Sequence, residues 1–154
     1  LTVISKIIAD YNKPGTSDFE KVAGIHDLMV QKIQYAGNNT DAAAVLKQKH
    51  GTKEGMTRAA YVLLKKLNVE VMRVRDKADK NNMWNLVCID NKWNHMDIAA
   101  DADTFNESTI PHIGICKNSS ASAKISSDTP VFSVPNTRAN LPFFTSKVSG
   151  VQLL

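Results

Sequence analysis

The side chains that could do acid–base or nucleophilic chemistry near neutral pH are few: two cysteines, four histidines and a lysine set between two glycines. Cys88 lies in an apolar stretch, where a buried and inert thiol is the usual case. Cys116 lies in a serine-rich stretch beside Lys117, which favours modest reactivity of an exposed thiol. His95 and Asp97 are two residues apart, so on a strand they would share a face and could form a pair. A structural role is the simpler interpretation of each of these groups.

The lysine between glycines is Lys53, in the run Lys49-His50-Gly51-Thr52-Lys53-Glu54-Gly55-Met56. A lysine at the start of a helix is ordinarily solvated, or paired with a neighbour such as Glu54. Burial could also lower the pKa of the amine enough to make Lys53 a nucleophile. Both interpretations stay open from the residues alone.

No metal or cofactor site is predicted. The other three histidines, His26, His50 and His112, are scattered without the spacing of metal ligands, and the pair of His95 and Asp97 is too little for a site. The glycines lack the spacing of a phosphate-binding loop. Cofactor-dependent and nucleotide chemistry are therefore disfavoured.

The composition predicts one globular domain over residues 1–154, with 43% hydrophobic and 22% charged residues. The aliphatic runs are too short to span a membrane. The net charge of +4 is too small to predict a nucleic-acid partner. Because the chain begins at Leu1, without an initiator Met or a signal-peptide pattern, we expect it to be a piece of a longer protein.

The elements that would position these groups are four helices followed by strands. Helical spacing of apolar residues is carried by Val3, Ile4, Ile7, Ile8 and Tyr11; by Phe19, Val22, Ile25, Met29 and Ile33; by Ala42, Val45 and Leu46; and by Met56, Ala59, Ala60, Leu63 and Leu67. Ser17 and Glu20 fit a capping box at the start of the second helix. This order of elements predicts an α+β fold.

The strands begin at Val69, where the apolar period changes to two. Two further strands, Trp84–Ile89 and Trp93–Ile98, flank Asp90-Asn91, which favours a tight hairpin. We expect the tryptophans to pack the helices onto the sheet. Residues 102–154 are predicted to form an irregular or β extension, because charges become sparse and four of the five prolines lie there.

Three ordered motifs in this chain resemble the transglutaminase-like superfamily, which has a papain-like fold. They are the glycine-flanked run around Lys53, then Met83-Trp84-Asn85, then Lys92-Trp93-Asn94-His95-Met96-Asp97. In that family a Gly-x-Cys-x-Gly stretch starts a helix, a His-x-Trp-Asn stretch starts a strand, and an aromatic-rich strand ends with Asp. The resemblance covers residues 19–101 and implies helices packed on an antiparallel sheet.

Carried over residue by residue, the resemblance puts the family's nucleophile at Lys53, its imidazole at Asn82 and its carboxylate at Asp97. A thiol at a helix N-terminus is favoured as thiolate, whereas lysine puts a cation there. Asparagine has no titrating proton near neutral pH. The resemblance therefore implies a degenerate member without the catalytic Cys and His, and predicts that the protein is not an enzyme.

The predicted function is that of a catalytically inactive binding or structural module. Its degenerate cleft, formed by Lys53, Asn82, Trp84 and Asp97, would bind a protein, peptide or glycan, or hold a neighbouring domain of the same chain. By analogy with the family, we expect a larger bacterial protein at the cell surface or outside the cell. The alternative is an amidase, protease or acyl transferase with a relocated nucleophile such as Cys116 or Lys53.

Overall fold

A computed structural model describes residues 2–104 and 151–154 of the chain. Its helices are α1 (Val3–Tyr11), α2 (Asp18–Lys32), α3 (Ala42–Gln48), α4 (Lys53–Lys66) and α5 (Ile98–Thr104). The four helices predicted from apolar spacing are thus confirmed. At the start of α2, Ser17 Oγ accepts a hydrogen bond from the Glu20 amide, and the Glu20 carboxylate accepts one from the Ser17 amide, so the capping box is confirmed too.

The strands form two sheets. They are β1 (Gln34–Tyr35), β2 (His50–Gly51), β3 (Val71–Asp76), β4 (Met83–Ile89), β5 (Lys92–Met96) and β6 (Val151–Leu153). Strands β1 and β2 make a short parallel pair. The larger sheet is antiparallel, in the order β5-β4-β3-β6. The architecture is the predicted α+β arrangement of helices and an antiparallel sheet.

The hairpin between β4 and β5 turns at Asp90 and Asn91, which have φ angles of 51° and 61°. Positive φ at both residues is the geometry of a two-residue hairpin turn. Ile89 pairs with Lys92, as the sequence predicts. The predicted end of the second strand is wrong, however, because Ile98 starts α5: the Asp97 carboxylate accepts a hydrogen bond from the Ala100 amide and so starts a helical turn.

One face of the larger sheet packs on the helices. Asn85 Nδ2 donates to the backbone oxygen of Thr57 in α4. The main apolar core therefore lies between this face and α4, and it includes Met56, Ala60, Leu63, Val71, Val87 and Met96. Trp84 is buried, but pleating directs it to the opposite face from Asn85. The expectation that Trp84 packs the helices onto the sheet is thus wrong.

None of the helices in residues 2–104 has the length and apolar content needed to cross a bilayer. Most of the predicted extension, including Cys116 and His112, lies outside the described residues. The described part of that extension contains the last three residues of α5 and strand β6, which pairs with β3 at Val74, Arg75 and Asp76.

Candidate functional site

Lys53 is the first residue of α4, the position that the resemblance gives to a nucleophile. Its Nζ donates a hydrogen bond to Asp97 Oδ2 over 2.7 Å, and its side chain is 14% exposed. The expected alternative pairing with Glu54 is wrong, since Glu54 forms an ion pair with Arg58 one helical turn later. The structure therefore brings together two of the four predicted site residues.

Asp97 connects β5 to α5 and is almost completely buried, with 1% of its side chain exposed. Its two oxygens have different partners: Oδ1 accepts from the Ala100 amide at 3.2 Å, and Oδ2 accepts from Lys53. Burial raises the pKa of Asp97, and these two donors offset only part of that effect. The pair is thus a carboxylate of increased proton affinity in direct contact with an amine.

The glycines on either side of Lys53 are required by close packing. A Cβ atom at Gly55 would collide with the backbone oxygen of Asn39 and lie 2.8 Å from Val45 Cγ2. A Cβ atom at Gly51 would collide with the same Val45 methyl group. The Gly-x-Lys-x-Gly run therefore allows α3 and the loop before it to approach the first turn of α4. This close packing fixes the position of Lys53 at the start of the helix.

Trp84 lies in β4 and Asn82 directly precedes that strand. Strand β4 pairs with β5, which Asp97 follows. Asn85 pairs with Met96, so the next pair of positions in the same register is Trp84 and Asp97. Asn82 precedes β4, where its carbonyl accepts from the Asp76 amide. Trp84 Nε1 donates to His95 Nδ1 over 2.7 Å. The ligand-binding role of Asn82 and Trp84 stays a prediction.

His95 is buried and has a pKa lowered to about 3 by that burial. It is therefore neutral at neutral pH. Because its Nδ1 accepts the Trp84 hydrogen bond, we infer that the ring proton is on Nε2. Pairing of His95 with Trp84 is a structural use of this histidine, which disfavours it as a proton carrier for Asp97.

Cys88 is the buried thiol that the sequence predicts, and burial raises its pKa. It is thus a poor nucleophile in the folded protein. Cys116, the other cysteine named as a relocated nucleophile, lies outside the described residues.

A buried cluster around His26 is not predicted by the sequence patterns. His26 Nδ1 is 3.0 Å from Asp27 Oδ1, and its Nε2 is 3.0 Å from Asp101 Oδ2. The neighbouring Asp27 was a visible signal, but Asp101 lies 75 residues further along the chain, so no local spacing pointed to it. Within residues 2–104 and 151–154, no group of three or more His, Cys, Asp or Glu side chains could hold a metal ion.

Comparisons with known proteins give the fold. No family model and no curated protein matches the chain. A "putative cysteine protease" from Cytophaga hutchinsonii matches 74% of this chain with a TM-score of 0.54 and 12% identity. A "putative protease" from Parabacteroides distasonis matches 60% with a TM-score of 0.50 and 14% identity. The chain spans only 39% and 22% of those two proteins, respectively.

The fold is therefore α+β and papain-like, as the motifs predicted. The prediction that the protein is not an enzyme is contradicted, because the two structural neighbours are named "putative protease" and "putative cysteine protease". In physical terms, Lys53 is not a thiol and Asn82 is not an imidazole, which excludes only a mechanism that uses those two groups at those two positions. They do not remove the amine of Lys53 and the carboxylate of Asp97, which contact each other at the start of α4.

Proposed function

We propose that this domain is part of an enzyme that breaks amide bonds, of the protease or amidase type, and that Lys53 is its reacting group. The observation that carries the proposal is the 2.7 Å contact between Lys53 Nζ and Asp97 Oδ2 at the start of α4. In a papain-like fold this is where a nucleophile would be held. The likeness to two proteins described as putative proteases supports the choice of reaction class.

Asp97 is the group that would make Lys53 reactive. An ammonium has no lone pair, so Lys53 must lose a proton before it can act as a base or nucleophile. Burial raises the pKa of Asp97, which strengthens this carboxylate as a proton acceptor. Transfer of one proton from Nζ to Oδ2 converts a pair of charges into a neutral amine and a neutral acid, which suits a poorly solvated site.

The proposed reaction is hydrolysis with the neutral amine as general base. Lys53 Nζ takes a proton from a water molecule while the water oxygen forms a bond to the carbonyl carbon of the amide. The tetrahedral intermediate then breaks its C–N bond, and the leaving nitrogen takes the proton from Nζ. The products are a carboxylic acid and an amine, so atoms and charges balance without a cofactor.

Substrate binding is assigned to the neighbouring positions. We propose that the Asn82 amide, which can donate two hydrogen bonds, contacts the substrate carbonyl, and that the substrate is a peptide. A peptide fits the amide chemistry better than a glycan does. A location at the cell surface or outside the cell stays a prediction.

The experiment maps which side chain reacts. The native chain is treated at neutral pH with a small activated acyl ester and, separately, with iodoacetamide, and the labelled residues are quantified by mass spectrometry. We expect Lys53 to be acylated at least tenfold faster than the exposed Lys66. We expect Asp97→Asn to remove that difference and Asp103→Asn, a change at an exposed position of α5, to preserve it.

Two results would overturn this assignment. Acylation of Lys53 no faster than that of Lys66 would show an ordinary paired ammonium. Selective alkylation of Cys116, with loss of peptide cleavage in Cys116→Ser, would make that thiol the reacting group in place of Lys53. Cys88 is the control in the second arm, because its buried thiol should label only in denaturant.

A further inference from the structure

The side chain of His26 is completely buried between two helices. It belongs to α2, and it bridges Asp27 on the same helix and Asp101 on α5. Each ring nitrogen is 3.0 Å from a carboxylate oxygen. An ionised carboxylate can only accept hydrogen bonds, so both ring nitrogens must carry protons if both carboxylates are ionised. The geometry is that of an imidazolium between two anions.

The bridge is connected to the reacting pair through α5. The Asp101 amide donates to the backbone oxygen of Asp97, and the Ala100 amide donates to Asp97 Oδ1. Asp97 thus directly precedes α5, and Asp101 lies one helical turn further along. His26 holds the second of these residues, while Lys53 contacts the first. A shift of α5 relative to α2 would therefore move the carboxylate away from Lys53.

Among the described residues, the charged groups in contact with His26 are Asp27 and Asp101, on two helices. Asp27 lies on α2, Asp101 on α5, and Tyr11 of α1 is close enough to Asp27 for that charge to contribute to its raised pKa. Asp101 also contributes to the raised pKa of Asp97. Burial by itself would lower the pKa of His26, but the hydrogen bonds to Asp101 and Asp27 outweigh it, and the pKa is raised.

We propose that His26 is a positioning residue for the Lys53–Asp97 pair: as a buried imidazolium bridging Asp27 and Asp101, it fixes α5 against α2 and so keeps the Asp97 carboxylate at Lys53. The inference rests on the proposed function for its importance to activity. Because His26 is completely buried, its effect on Lys53 and Asp97 would be exerted through α5.

The test uses nuclear magnetic resonance on the whole chain. In the wild type at neutral pH, the two ring nitrogens of His26 should both have the ¹⁵N shifts of protonated nitrogens. Exchange of the Lys53 Nζ protons with water should be slow, because Nζ is hydrogen-bonded to Asp97 Oδ2. His26→Gln should accelerate that exchange at least tenfold, whereas His50→Gln, which changes a half-buried histidine near Asn39, should leave it unchanged.

Asp101→Asn provides a second route if His26→Gln does not fold. It should also accelerate exchange at Lys53, and Asp103→Asn on the same helix should not. A neutral His26 in the wild type would overturn the proposal, and so would slow exchange at Lys53 in a folded His26→Gln or Asp101→Asn variant. These readouts follow the ion pair itself, so they stand or fall separately from any failure to find amide cleavage.

Discussion

Lys53 and Asp97 illustrate how a buried pair makes each charge depend on the other. Asp97 is 1% exposed and Lys53 is 14% exposed, so neither charge is well solvated. Removal of one partner leaves the other in a poorly solvated place, which generally costs more than the pair contributes. Replacement of both residues by uncharged ones leaves no poorly solvated charge without a partner.

The first prediction is a double-mutant cycle on this pair. Lys53→Met and Asp97→Asn should each lower the free energy of unfolding by about 3 kcal/mol, because each leaves a poorly solvated partner unpaired. The double variant should lie within about 1 kcal/mol of the wild type. Urea unfolding at neutral pH measures all four proteins. Strictly additive losses in the double variant would contradict the coupling.

The helices and the β4–β5 hairpin show how much local pattern can predict. The apolar spacing identified α1 to α4, the Ser17–Glu20 box set the start of α2, and the Asp90-Asn91 turn set the register of β4 and β5. These features depend on neighbouring residues. The sequence patterns do not predict α5, because this helix begins at Ile98, directly after Asp97, where the pattern predicts the end of a strand.

Contacts between residues far apart in the chain were predicted only from the family resemblance, or were not predicted. Lys53 and Asp97 are 44 residues apart, and the motif order predicted that they share a cleft, although not that they pair. His26 and Asp101 are 75 residues apart and belong to no motif. Their contact depends on how α5 packs against α2, which no periodicity encodes.

The second prediction concerns the close packing at the start of α4. Gly55→Ala should lower the free energy of unfolding by about 2 kcal/mol, since the added methyl group meets the backbone oxygen of Asn39. The neighbouring change Glu54→Ala should cost at most about 0.5 kcal/mol, because it removes only a surface ion pair. Thermal unfolding compares the two. A Gly55→Ala variant as stable as the wild type would show that the first turn of α4 has room to move.

The pH dependence of stability belongs to the molecule as a whole, because two buried histidines act in opposite directions. The pKa of His26 is raised, so its stabilising contribution is complete below the unfolded pKa of about 6.5 and is lost as pH rises through the folded value. The pKa of His95 is lowered to about 3, so its contribution is complete above about pH 6.5 and is lost as pH falls toward that value.

The third prediction is therefore that the free energy of unfolding is highest near neutral pH. It should fall on the acid side and on the alkaline side of that maximum, which we call the acid limb and the alkaline limb. His95→Phe should flatten the acid limb, which amounts to about 5 kcal/mol for a shift of this size. His26→Gln should flatten the alkaline limb. Denaturant unfolding across the pH range supplies the slopes. If His95→Phe leaves the acid slope unchanged, His95 is not buried as a neutral ring.

The most direct test of the central claim is peptide hydrolysis by the wild type and Lys53→Met, with Cys116→Ser as the matched control. A mixed library of unmodified peptides is incubated with each protein at neutral pH, and new termini are counted by mass spectrometry. We expect cleavage by the wild type and by Cys116→Ser, and at least a hundredfold loss of cleavage in Lys53→Met. This expectation would be contradicted by a wild-type protein that cleaves no peptide, or by a folded Lys53→Met variant that cleaves as fast as the wild type.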